Sequence, residues 1–233
     1  MAATARTVAL PREAERPARV DLRSHCPPVY DQGTLGACTA FAMGKGLREY
    51  LQRRNGERQV PLSALWLYYQ ERVLRGSVGE DSGANMVDGM TVLARQGNAT
   101  EEAWPYLPRR FKLEPTAEAN ATADAWKVSD GVELRSFEDV RTALAKGQPV
   151  AFGFIVYLRF QFIGPGGKMP LPLPLEPRMG GHAVLAVGYD DEAEHLVVRN
   201  SWGARWGDKG YFYMPYKFAR DPERAMEWWT ACR

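Results

Sequence analysis

Cysteine is scarce in this chain, which holds only Cys26, Cys38 and Cys232 among 233 residues. Three thiols exclude a scaffold stapled by disulfides. Histidine is equally scarce at three. His25 stands beside Cys26, but two ligands fall short of the four that a structural zinc site takes. His25 and His195 are therefore expected to be structural or solvent-facing, and no metal site is expected. No apolar run approaches the roughly 18 residues of a membrane span. No Gly-rich phosphate loop, carboxylate cluster or internal repeat stands out. An excess of one charge is missing too. The net charge of +2 argues against nucleic acid or an anionic membrane as partner. The first 20 residues offer only Val8-Ala9-Leu10 as an apolar patch, short of the roughly 7–15 residues of a secretory signal. Glu13 and Glu15 argue against an organelle transit peptide. Residues 1–19 are read as a flexible lead, and the cytoplasm as the expected place of work. A signal already removed, another export route or delivery into a second cell stay open.

What is present centres on Gln32-Gly33-Thr34-Leu35-Gly36-Ala37-Cys38-Thr39-Ala40-Phe41. The glycines give a tight loop, and Phe41, Gly44, Leu47 and Leu51 carry a helical period beyond it. Cys38 thus falls in the first turn of a helix running to about Arg54, which Asn55-Gly56 ends. Free N–H groups and the positive end of the helix dipole favour a thiolate there. Cys38 is a candidate nucleophile, with a small buried core residue as the alternative.

Further along, Ser63 caps a second helix whose period reaches Gly76, with Trp66, Tyr68 and Tyr69 expected as core packing. Residues 81–85 read as a loop, and residues 86–96 as a third helix closed by Gly97. Residues 108–124 are polar and read as a connection. Residues 125–128 and 132–134 read as short strands, Ser136 as the cap of a helix to Lys146, and residues 149–157 as a buried strand. Residues 164–181 read as one long loop, its Pro-Leu repeat a stiff surface near the cleft rather than a ligand for a partner domain. Strands follow at 182–189, 195–200, 211–214 and 226–232. The fold class is α+β, with a mainly helical lobe over about 20–124 and a β-rich, barrel-like lobe over about 125–233.

Two later stretches complete the pattern. They are Gly180-Gly181-His182-Ala183-Val184-Leu185-Ala186-Val187-Gly188-Tyr189 and Asn200-Ser201-Trp202-Gly203-Ala204-Arg205-Trp206-Gly207. With Gln32–Phe41 they resemble the papain-like cysteine peptidases, which keep a Cys near the mature N-terminus and a His roughly 130–150 residues downstream. The resemblance is clear in these three stretches and thin between Arg53 and Gly147. It implies a two-lobe fold with the active-site cleft between the lobes, acting on a peptide or protein substrate and needing no cofactor beyond a reduced thiol. It implies Cys38 as nucleophile, His182 as its imidazole partner, Asn200 as the group that fixes the imidazole tautomer, and Gln32 as an oxyanion-hole donor. Trp202 would cover the Asn–His hydrogen bond, while Trp206 is expected to pack. Ser82 and Gly83 would pair with an extended substrate. Gly181 would leave room beside the imidazole, and Met86 would line a side-chain pocket or belong to the helix core.

The departures are specific. Leu35 stands where the family usually has a disulfide-forming Cys, and Thr39 replaces the aromatic residue that usually follows the nucleophile. The missing disulfide resembles bacterial branches of the family, as does the short lead, which would lie in or beside the cleft or do nothing, and Thr39 changes the cleft wall. Cys26 and Cys232 are left as two free thiols or one pair. Acyl transfer, deamidation and deconjugation start from the same acyl-enzyme, so these motifs do not separate them from endopeptidase action. A silent binding protein on the same fold is a further alternative, though such proteins often lose the Cys or His, and both are present here. A monomer is expected.

Overall fold

The computed structural model describes residues 16–232. The long helix forms as its period requires, from α1 (Cys38–Ala40) through a π-wound segment (Phe41–Arg48) to α2 (Glu49–Arg54). π-winding inside a helix is uncommon and favours functional positions. Two further helices pack beside it. α3 (Ala64–Arg75) is capped by Ser63, whose hydroxyl accepts from Trp66 N, and ends on a left-handed Gly76. α4 (Met86–Arg95) follows an extended loop. α5 (Ala117–Ala121), capped by Thr116, and a single 3₁₀ turn at Pro108–Arg110 break up the expected connection.

The β part is one antiparallel sheet in the order β2-β7-β3-β4-β5-β6, with β1 paired to β4 off that path. Its strands are β1 (Arg19–Asp21), β2 (Asp130–Leu134), β3 (Val150–Tyr157), β4 (Arg178–Asp190), β5 (His195–Arg199), β6 (Tyr211–Pro215) and β7 (Ala225–Cys232). α6 (Phe137–Ala145) enters through a capping box between Ser136 and Asp139, and α7 (Tyr216–Ala219) follows β6.

The period-2 alternation of the strands divides the core. Ala151, Ala183, Leu185, Val187 and Val197 face the helices, packing with Phe41, Leu47, Leu65 and Met90. Phe152, Phe154, Val184, Ala186 and Val198 face the other way, into a cluster with Leu144, Phe212 and Phe218. The sheet is therefore the shared wall of two cores, and one end of β4 lies at their junction.

Three expectations need correction. Residues 125–128 are no strand. Asp124–Trp126 is a 3₁₀ turn, and Val128 N–H bonds Leu93 O. The short apolar run docks instead of pairing, with the Arg48 guanidinium 5.5 Å above the Trp126 ring. The loop expected to reach Gly181 ends earlier, because Gly180 and Gly181 pair with Val156 and Ile155 of β3. Glycines that read as breakers are ladder residues that keep the strand bare. Within the expected lead, residues 16–19 are held on the sheet. Arg16 donates to Glu138 O and Oε2 and to Thr142 Oγ1, Tyr189 Oη donates to Pro17 O, and Arg19 pairs with Asp190. Asp190 lies eight strand positions from His182, so this stretch lies away from the cleft end of β4. The rest of the lead, residues 1–15, lies outside the described residues. Cys26 and Cys232 are both free, the first buried near Leu22 O and the second accepting from Gln148 Nε2 at 2.9 Å.

Candidate active site

A cleft of about 510 Å³ opens where β4 meets the long helix. Cys38, Ser82, Gly83, Met86, Gly181 and His182 all line it. Cys38 is half-buried at the first turn of its helix. Two effects compete at its sulfur. Burial pushes the thiol up to about 11, while the backbone N–H groups of Ala183, Thr39 and Cys38 pull the other way. The Ala183 N–H comes from β4 and only the Thr39 and Cys38 N–H groups come from the helix start, and desolvation of a single charge outweighs them all.

His182 lines the cleft from β4 with Gly181 and Ala183, and alternation turns its ring to the aromatic side of the sheet. It is 7% exposed. Phe154 meets it edge-on at 5.8 Å, and Trp202 lies 4.9 Å away, tilted 30°. Nε2 bonds Asn200 Oδ1 at 2.7 Å. A carboxamide oxygen only accepts, so Nε2 carries the proton and Nδ1 is the nitrogen left for the cleft. Burial pulls the imidazolium down to about 4, and the Asn200 bond opposes it. Trp202 packs in turn on Phe160 and Trp206, so Trp206 is part of the aromatic support as expected.

Gln32 is buried beside the nucleophile loop. Its main chain runs antiparallel to residues 201–203, with Gln32 N donating to Ser201 O at 2.9 Å and Gly203 N to Tyr30 O at 3.1 Å. Its Nε2 donates to Leu35 O at 3.0 Å and its Oε1 accepts from Ser201 Oγ at 2.6 Å. A carbonyl cannot donate, which fixes the NH₂ end at Leu35 and leaves a second N–H for another acceptor. Tyr106 Oη donates to Gln32 O at 2.8 Å.

The substrate-side candidates divide. Gly181 is exposed, and nothing lies within 4 Å of where a side chain would begin. Met86 is 2% exposed and belongs to the helix core, from which it also lines the cleft. Ser82 is exposed and donates to Gly83 O at 3.1 Å. Gly83 has a left-handed backbone (φ 69°), and its N–H is already donated to Tyr68 Oη at 3.0 Å. A substrate strand would compete with that hydroxyl for the N–H.

Several residues of the site escaped the sequence reading. Ser201 lies inside the Asn-Ser-Trp-Gly stretch and was legible in principle. Tyr68 was assigned to packing, which is true of its ring but not of its hydroxyl. Glu227, at the rim, accepts from Met86 N at 3.0 Å across 141 positions of sequence, and no local signal announces such a bond. Asp88 lines the cleft paired with Arg75 at 2.6 Å. Among the described residues, no helix is long and apolar enough to cross a membrane.

A thiol at a helix start and a buried imidazole lining one cleft in an α+β fold point to the class of cysteine-dependent hydrolases. Comparison with known proteins narrows it. The papain family cysteine protease model matches residues 16–227, and the chain belongs to that family. It is 36% identical over 210 residues to the uncharacterized peptidase C1-like protein L477 of Acanthamoeba polyphaga mimivirus, covering 85% of this chain and 68% of that protein. It is 32% identical to cathepsin K of Gallus gallus, covering 84% of this chain but only 58% of the relative's length. Among solved structures it is similar to xylellain, a cysteine protease from Xylella fastidiosa. That likeness has a TM-score of 0.87, 34% identity, and coverage of 97% of this chain and 90% of that one.

Proposed function

We propose that this papain-family cysteine peptidase is an endopeptidase working through a Cys38 acyl-enzyme. The observation that carries the reading is the 2.7 Å bond from His182 Nε2 to Asn200 Oδ1, made on the cleft that Cys38 also lines. Burial opposes a thiolate and an imidazolium taken singly. A proton passed from Sγ to Nδ1 creates both together, and their attraction is strongest in that same poorly hydrated setting. The thiolate attacks the scissile carbonyl carbon. The oxyanion is met by the free Gln32 N–H and the Cys38 backbone N–H. The imidazolium gives its proton to the leaving amine, the C–N bond breaks, and the acyl-enzyme remains. A water then gives its proton to His182 and attacks the thioester, releasing the carboxylic acid and restoring the thiolate. Trp202 shields the His182–Asn200 bond, and Ser82, Gly83, Gly181 and Met86 face the substrate. Three free thiols support work in a reducing compartment such as the cytoplasm.

Mapped alkylation by iodoacetamide tests this. Cys38 should react faster than Cys26 and Cys232 well below pH 8, and His182→Ala should remove that advantage. Equal labelling of all three cysteines would refute the reading. Product analysis on a cleaved peptide, with and without amine acceptors, separates hydrolysis from acyl transfer.

A further inference from the structure

The loop before Cys38 lacks the cysteine that usually ties it by a disulfide, since Leu35 stands there. A polar tie is present instead. Gly36 N–H donates to both oxygens of Asp81, at 3.0 and 3.2 Å. Tyr68 Oη donates to Asp81 Oδ1 at 2.5 Å and accepts from Gly83 N at 3.0 Å. Four residues from three segments are thus joined in one chain of hydrogen bonds, with Gly36 on the nucleophile's loop, Asp81 and Gly83 on the neighbouring loop before α4, and Tyr68 on α3. The fit is close on both sides. A Cβ on Gly36 would lie 3.0 Å from Asp81 Oδ1, and one on Gly83 would lie 4.0 Å from Gly36 O.

The anchor beneath is rigid. Tyr68 is fully buried, and the Arg72 guanidinium stacks 4.1 Å from its ring. Arg72, also fully buried, spends its donors on carbonyls. Nη1 goes to Val78 O and Glu80 O at 2.9 and 3.1 Å, and Nη2 goes to Phe111 O at 2.5 Å. The residues that lead into Asp81 are therefore fastened to the same helix. Burial, and then the bond to Asp81, push the Tyr68 hydroxyl up, so it remains a donor throughout the working pH range.

We propose that Tyr68 and Asp81 form a hydrogen-bonded clasp that sets the spacing between the nucleophile's loop and the substrate-facing wall at Ser82–Gly83. They are positioning residues for the substrate's main chain. The proposal rests on the reading of Cys38 as nucleophile and of residues 82–83 as substrate wall. Because the clasp contains no sulfur, the spacing of these two loops is indifferent to reductants that would open a disulfide.

Two reagents of different size test it on the full chain. Iodoacetamide reports on the thiol alone, while a tripeptidyl chloromethyl ketone must also lie along the wall. In Tyr68→Phe and Asp81→Ala, the peptidyl reagent should slow by about tenfold, the scale of one or two lost hydrogen bonds. Iodoacetamide should change less than about twofold, well under the loss expected for one hydrogen bond. Asp81→Asn, whose amide oxygen still accepts from Gly36, should recover most of the loss. The peptide KM should rise more than kcat falls. An unchanged peptidyl rate overturns the proposal, and so does an equal slowing of both reagents, which would mean a general effect on the helix start. Faster peptidyl labelling in Tyr68→Phe also overturns it, because the hydroxyl would then only compete with substrate for Gly83 N–H. If Asp81→Ala does not fold, Tyr68→Phe carries the test. A wild-type Cys38 inert to both reagents would instead remove the nucleophile reading on which the clasp depends.

Discussion

Ser201 donates its hydroxyl to Gln32 Oε1 at 2.6 Å, across 169 positions of sequence. The same residue's backbone N–H goes to Asn200 Oδ1 at 2.9 Å. One small side chain therefore orients the amide proposed for the oxyanion hole, while its main chain steadies the group that orients His182. Loss of an oxyanion donor typically costs 10²–10³ in rate. Gln32→Ala should lower kcat by roughly that factor. Ser201→Ala leaves the amide in place but free to turn, so it should cost less, about 2–10-fold in kcat/KM, the scale of one net hydrogen bond. Steady-state kinetics on one peptide give both numbers. A Ser201→Ala loss equal to that of Gln32→Ala would mean that the amide has no role of its own.

Asn200 acts on a charge that burial disfavours. The His182 imidazolium is pulled down by desolvation, and the Asn200 bond is what opposes it. In Asn200→Ala the imidazolium loses that support, so the alkaline limb of kcat/KM should move to lower pH. kcat should also fall by ~10–100-fold, part of the 10²–10⁴ that a positioned acid–base group supplies. A pH–rate profile from 4 to 10 decides. A lower kcat with an unmoved limb would show that Asn200 serves only to hold the ring in place.

Much of the fold around this site is legible in the sequence, for local reasons. Cys38 at a helix start, Ser63 and Ser136 as caps, and Gly76 as a stop are each set by neighbours within four residues, and each formed. His182 and Asn200 stand out because each lies in a distinctive run, His182 within β4 and Asn200 directly after β5. What escaped the reading joins distant segments. Tyr68 lies in an aromatic cluster that periodicity assigns to the core, and only its hydroxyl leaves that core to meet Asp81 and Gly83. Gly180 and Gly181 misled for the opposite reason. A pair of glycines breaks most strands, yet here β3 supplies the pairing and the missing side chains keep the cleft open.

The substitution at Thr39 has a partner that no spacing rule suggests. Thr39 Oγ1 donates to Glu71 Oε2 at 2.7 Å, and Glu71 is fully buried. Burial pushes its carboxyl from 4.5 up to about 8, with the Thr39 bond pulling it back and Asp88 adding to the rise. Glu71 also raises the Cys38 thiol, so its neutral form is the one compatible with a thiolate. The consequence for stability has a definite sign. Below 4.5 the acid is neutral in both the folded and the unfolded chain, and it costs nothing. As pH rises from 4.5 toward 8, the unfolded chain ionises while the folded one does not, so stability is lost across that window and the loss levels off above it. Glu71→Gln can keep an oxygen for Thr39 and removes the titration. Its stability relative to wild type should rise steadily between pH 4.5 and 8 and then stay constant. Urea midpoints measured at half-unit steps test this. A constant difference between the two proteins across the window would mean that Glu71 is ionised in the fold at neutral pH, with a partner other than Thr39 holding its charge.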